Sequence, residues 1–97
     1  MGNKKVTISV EALFDRLTEH DTEADYVTTK YGYIEKETDG DREWFDYKTG
    51  NGTPCMDGEC CEIIEETDQY ILLQEIDEQI PFKLSREEFG IAAVECQ

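Results

Sequence analysis

Ninety-seven residues carrying 24 acidic and nine basic side chains have a formal charge of −15. A chain this short supports one hydrophobic core, so residues 1–97 are expected to form a single domain. No apolar run approaches the roughly 20 residues of a membrane span. The acidity also argues against a basic patch for direct contact with nucleic acid or an anionic membrane.

Lys4 and Lys5 are followed by no apolar core, so the N-terminus does not read as a signal peptide. Val6 stands where a myristoylation signal needs Ser or Thr. The expected address is the cytoplasm. The expected state is a monomer or weak dimer, and the expected partner is a basic protein.

In chain order, residues 4–8 alternate, with Val6 and Ile8 apolar, and predict a short strand. Ser9 has N-cap chemistry, its hydroxyl able to accept from an orphan backbone N–H. Val10, Leu13, Phe14 and Leu17 then form one helical stripe, with Ile8 and Leu13 placed as a hydrophobic staple, and the helix is expected to reach about His20.

Residues 31–48 predict a hairpin about Asp39-Gly40, a dipeptide suited to a type I′ turn. With Asp39-Gly40 as the loop, Glu37 faces Arg42, Lys36 faces Glu43, Ile34 faces Phe45 and Tyr31 faces Lys48. Residues 49–54 (Thr-Gly-Asn-Gly-Thr-Pro) predict a loop, and without a third Gly or a Lys it is no phosphate cradle. A second hairpin is expected over 59–66 and 69–76, turning at Thr67-Asp68.

Ile80, Phe82 and Leu84 alternate with Pro81 and Lys83 in an edge-like strand. Ser85 and Glu88 have capping-box spacing, with Leu84 and Phe89 as staple. The following helix is expected to place Phe89, Ala92, Ala93 and Cys96 on one stripe. The elements together predict an α+β fold: a two-layer antiparallel β-meander with an N-terminal and a C-terminal helix.

Cys55, Cys60, Cys61 and Cys96 are expected to be free thiols in a reducing compartment, Cys60 and Cys61 pointing to opposite faces of a strand. The alternative is a metal-stabilised structural domain using all four, although paired C-x2-C knuckles are missing. His20 is the single imidazole and sits where a helix should end, a place where His ordinarily caps carbonyls or meets the helix dipole. Neither Asp39-Gly40-Asp41 nor Asp57-Gly58-Glu59 matches a twelve-residue calcium loop. No catalytic residues, cofactor or metal are assigned, and no enzyme is expected.

Two features point instead to protein binding. Residues 1–48 hold seven basic and twelve acidic groups, net −5; residues 49–97 hold two and twelve, net −10. No Lys or Arg occurs between Lys48 and Lys83, an interval that includes Glu62, Glu65, Glu66 and Asp68. The second feature is Tyr31, Tyr33 and Trp44, expected on the sheet face opposite Ile34 and Phe45. Aromatic side chains rimmed by charge are common interface anchors, although a covering helix would instead make them core.

Residues 80–92 (Ile-Pro-Phe-Lys-Leu-Ser-Arg-Glu-Glu-Phe-Gly-Ile-Ala) resemble the C-terminal end of small uncharacterised acidic accessory proteins of Gram-positive conjugative elements and phages. The resemblance covers about a seventh of the chain and implies an accessory role on a mobile element, with no site residues carried over. Anti-CRISPR and anti-restriction proteins share the acidic composition without a shared motif. The expected function is a non-enzymatic interaction or inhibitor module, with mimicry of DNA phosphates as its narrower form.

Overall fold

The computed structural model describes residues 4–95. Among them are nine strands and two helices: β1 (Lys5–Ile8), α1 (Val10–Leu17), β2 (Tyr26–Thr28), β3 (Tyr33–Asp39), β4 (Arg42–Thr49), β5 (Gly52–Met56), β6 (Glu59–Glu66), β7 (Tyr70–Glu75), β8 (Phe82–Ser85), α2 (Arg86–Ala92) and β9 (Ala93–Glu95). The fold is α+β, with antiparallel sheets and one helix towards each end of the chain. One sheet has the order β8-β7-β6-β1-β9 and the other β2-β3-β4-β5.

α1 starts where its residues dictate. The Ser9 hydroxyl accepts from the Ala12 N–H at 3.2 Å, and Ile8 and Leu13, the staple pair, are both buried. The helix ends at Leu17, short of His20. Thr18 donates its hydroxyl to the Phe14 carbonyl at 2.8 Å, and Glu19 and His20 turn left-handed, with φ of 56° and 63°. Two consecutive left-handed residues end a right-handed helix.

The first hairpin forms, but its turn is one residue later than expected. Asp39 pairs with Arg42, so Gly40-Asp41 is the loop, and the facing pairs become Glu37 with Trp44, Lys36 with Phe45, Ile34 with Tyr47 and Tyr33 with Lys48. Gly40 has φ of +64°, while Asp41 is not left-handed. Positive φ at the first central residue alone is the pattern of a type II′ turn, which wants Gly there. The expected cross-strand charge pairs therefore do not form. The faces do survive, because moving the turn by one residue shifts each partner by two: Ile34 and Phe45 are buried and Phe14 packs on Phe45 with ring centroids 4.9 Å apart.

Residues 52–56 are a strand, not a loop. β5 pairs with β4, and between Tyr47↔Cys55 and Thr49↔Gly52 the register shifts. Thr53 and Pro54 together oppose Lys48, so the bulge lies on an edge strand, a position where Pro forfeits no ladder bond. β6 and β7 form the second expected hairpin, closed by Thr67, whose hydroxyl accepts from the Tyr70 N–H at 3.0 Å. A second register shift falls between Ile63 and Glu65, leaving Ile64 as the extra residue and exposed.

At the other end, Ser85 and Glu88 form the expected capping box. α2 then stops at Ala92, and Ala93 is already extended (φ −77°, ψ 128°). The chain becomes β9, filling the open edge of β1 through Ile8↔Ala93 and Val6↔Glu95. Ala93 therefore belongs to a strand and not to the helical stripe; Cys96 lies outside the described residues. The core between the helices and sheets is built from Ile8, Val10, Leu13, Phe14, Ile34, Tyr47, Ile71, Leu73 and Leu84, each no more than 2% exposed.

Candidate protein-binding face

The register of β2–β5 places alternate residues on the face turned away from α1. Across that face Tyr26 stands beside Glu35, Thr28 beside Tyr33, Glu37 beside Trp44, Tyr33 beside Lys48, Glu35 beside Asp46 and Asp46 beside Met56. Tyr26 and Met56 are exposed, and Tyr33 and Trp44 half-buried. Tyr26 and Tyr33 stack at 5.3 Å between ring centroids, and the Arg42 guanidinium lies 5.6 Å from the Trp44 ring. Sequence reasoning singled out Tyr33 and Trp44 but not Tyr26, whose three-residue strand carries too little pattern to reveal its neighbours.

The polar part of this face is organised around one lysine. Lys48 Nζ donates to Glu37 Oε1 at 2.8 Å and to Glu35 Oε1 at 3.1 Å, and these bonds hold its ammonium above its usual pKa. Asp46, 8% exposed, is left with a buried Oδ1 that has no hydrogen-bond partner. Burial raises the Asp46 pKa. Lys48 pulls it down, Glu37 pushes it up, an indole hydrogen bond from Trp44 lowers it, and Glu35 raises it. A buried oxygen that water does not reach costs stability unless something satisfies it. Counting Asp39 and Arg42 at the hairpin end, the face holds four carboxylates and two cations.

The remaining expected interface residues lie elsewhere. Tyr31 precedes β3 and packs edge-on against Tyr70, with centroids 6.1 Å apart. Lys83 covers both rings, 4.3 Å from Tyr70 and 5.7 Å from Tyr31. Tyr70 donates its hydroxyl to Glu65 at 2.9 Å, and that bond raises the phenol's pKa. Glu62 faces Lys5 across β1, and Glu66 and Asp68 lie at the β6–β7 turn. The expected residues thus divide into Tyr33 and Trp44 on one sheet and Tyr31 with Glu62, Glu65, Glu66 and Asp68 around the other.

The cysteines differ from four free thiols. Cys60 is disulfide-bonded, whereas Cys55 and Cys61 are free and buried, with their Sγ atoms 3.8 Å apart. Cys60 and Cys61 do point to opposite faces, since adjacent strand residues alternate. Among the described residues, no group of three or more His, Cys, Asp or Glu is placed to hold a metal ion.

His20 borders a cavity of about 440 Å³ floored by Phe14 and Phe45 and walled by Asp21, Lys36 and Glu43. Asp15 and Thr22 complete the lining, and no Ser or Cys is among the described lining residues. No helix among the described residues is long and apolar enough to cross a membrane. Comparison with protein-family models, with curated proteins and with solved structures found no match.

Proposed function

We propose that this chain is a non-enzymatic interaction module that binds a basic protein partner through the outer face of the β2–β5 sheet. The reading rests above all on one juxtaposition. Half-exposed Tyr33 and Trp44 flank a buried carboxylate oxygen, Asp46 Oδ1, whose hydrogen-bonding capacity is unspent. Amphipathic rings offer large contact area at small entropic cost, and arginine is the cation best suited to lie against them. The acid-rich second half of the chain adds a long-range field that attracts the same class of partner.

The role is an inhibitory or accessory one, in keeping with the mobile-element resemblance of residues 80–92. Phosphate mimicry is its narrower form, in which the partner is itself a nucleic-acid-binding protein.

A ten-residue arginine peptide titrated against the protein, followed by the fluorescence of its single Trp, Trp44, tests the face. Binding should change the emission and weaken by about tenfold or more as salt screens the charges. Trp44→Ala with Tyr33→Ala, compared with wild type by titration calorimetry because the variant lacks the fluorophore, should cost about tenfold or more, as interface anchors do. Changing Glu65, Glu66 and Asp68 together to their amides should cost much less. The opposite ranking would move the site to the β6–β7 rim and overturn the reading.

A further inference from the structure

Outside the proposed face, Cys55 and Cys61 form the best-defined reactive pair among the described residues. We propose that they are a disulfide-forming site, closed by thiol–disulfide exchange with a small cationic disulfide.

The geometry comes from the fold. Cys55 lies on the edge strand β5 of one sheet and Cys61 on β6 of the other, so the pair spans the seam between them. The connection between these strands is pinned on both sides, with the Asp57 N–H donating to the Phe45 carbonyl and the Gly58 N–H to the Ile8 carbonyl, each at 2.9 Å. The sulfur atoms are therefore held 3.8 Å apart by backbone contacts. A disulfide needs them at about 2.05 Å, an approach of less than 2 Å. Cys60, already disulfide-bonded, does not compete while that bond is intact.

Access is one-sided. A cavity of about 140 Å³ reaches Cys55, with Glu59, Glu75 and Glu78 on its walls and Thr53 and Met56 completing it. Cys61 is not part of that lining and lies behind Cys55. An incoming disulfide would meet Cys55 first, and Cys61 is placed to resolve the adduct. Three carboxylates with no Lys or Arg in the lining repel an anionic disulfide and concentrate a cationic one.

The exchange balances without any other redox agent. Cys55 loses its proton to solvent and its thiolate attacks one sulfur of the small disulfide. That S–S bond breaks, a mixed disulfide forms on Cys55, and one small thiol leaves after taking up a proton. Cys61, deprotonated in turn, attacks Cys55 Sγ and expels the second small thiol. Two protein thiols are oxidised by two electrons, and one disulfide is reduced to two thiols. Contact with Cys61, and then burial, raises the Cys55 pKa, so thiolate is scarce and the reaction is slow at neutral pH.

The test incubates the native full-length chain with cystamine or with glutathione disulfide, then maps the bonds without reduction after Glu-C cleavage, with fragmentation to distinguish Cys60 from Cys61. The expected result is loss of two hydrogens from the intact mass and a Cys55–Cys61 cross-link. Cystamine should react about tenfold faster than glutathione disulfide at low salt, the gap narrowing as salt is added. Cys61→Ser should trap the cysteamine adduct on Cys55; if that variant does not fold, the wild-type map decides alone. An adduct on wild-type Cys55 that never closes would overturn the proposal. So would cross-linking to Cys60 or Cys96, or glutathione disulfide reacting as fast as cystamine.

Discussion

A Cβ at Gly32 would stand 2.5 Å from the Lys48 carbonyl oxygen and 2.9 Å from the Tyr47 hydroxyl. Both obstacles are fixed. The first is strand backbone. The second donates to the Lys83 carbonyl at 2.8 Å and accepts from the Thr29 hydroxyl at 3.3 Å. Burial of this phenol pushes its pKa up to about 12, so it stays a donor across the physiological range. Gly32→Ala should therefore destabilise the protein by about 1–3 kcal/mol through overpacking, measured by urea unfolding. Gly90, in α2, has nothing within 4 Å of its missing Cβ. Gly90→Ala should change stability in the other direction, by up to about 1 kcal/mol, because Ala loses less entropy in a helix. Equal effects of one sign would contradict this reading. The sequence placed Gly90 inside a helix, where Ala is preferred, but held no sign of Gly32's constraint, which comes from Lys48 and Tyr47, far along the chain.

At the scale of elements, Glu88 does more than its capping box required. One carboxylate oxygen accepts from the Ser85 N–H at 3.0 Å, and the other accepts from the Lys30 N–H at 2.9 Å. The residue is 8% exposed, so α2 and the loop ahead of β3 share a buried acceptor. Ser85→Ala should cost about 1 kcal/mol, as N-cap losses do. Glu88→Ala leaves two donors without their acceptor and should cost clearly more, about 2–3 kcal/mol. Denaturant unfolding of the two variants orders them, and equal losses would show that the Lys30 bond contributes nothing. The capping-box half of this arrangement was legible because it lies within four residues; the Lys30 half was not, because it joins positions 58 apart. The same division runs through the fold. The α1 staple, the faces of the first hairpin and the β6–β7 turn rest on local alternation and capping. The short strands β2, β5 and β9 rest on neighbours that supply their hydrogen bonds, and β5 contains two residues, Gly52 and Pro54, whose propensities oppose a strand. Of the candidate face, Tyr33 and Trp44 followed from parity alone. Tyr26 and the unpartnered Asp46 oxygen depended on register and packing.

Across the whole molecule, a charge of −15 sets a repulsion that both acid and salt relieve, but by different routes. Screening acts on exposed charges, whereas protonation also reaches buried carboxylates. Burial raises the Glu59 pKa, and the charge of Glu75, a hydrogen bond with it, Asp77 and Glu78 push it further the same way. Asp46 is raised chiefly by burial. A carboxyl with a higher pKa folded than unfolded binds protons more tightly in the native state. Its favourable contribution is complete below the unfolded value (about 4.5 for Glu) and is lost as pH rises through the folded value. Stability should therefore fall between mildly acidic and neutral pH, in the window just above the ordinary carboxylate range. Near 1 M salt, where the Debye length is about 3 Å, repulsion among exposed groups is largely screened, and the slope that persists reports buried ones. Glu59→Gln keeps the shape of the side chain, removes the charge and can donate to Glu75. It should raise the melting temperature at pH 7 and flatten its pH dependence in high salt. A variant that keeps the wild-type slope would show that Glu59 is not among the groups responsible, and would leave Asp46 on the opposite sheet as the next carboxylate to neutralise.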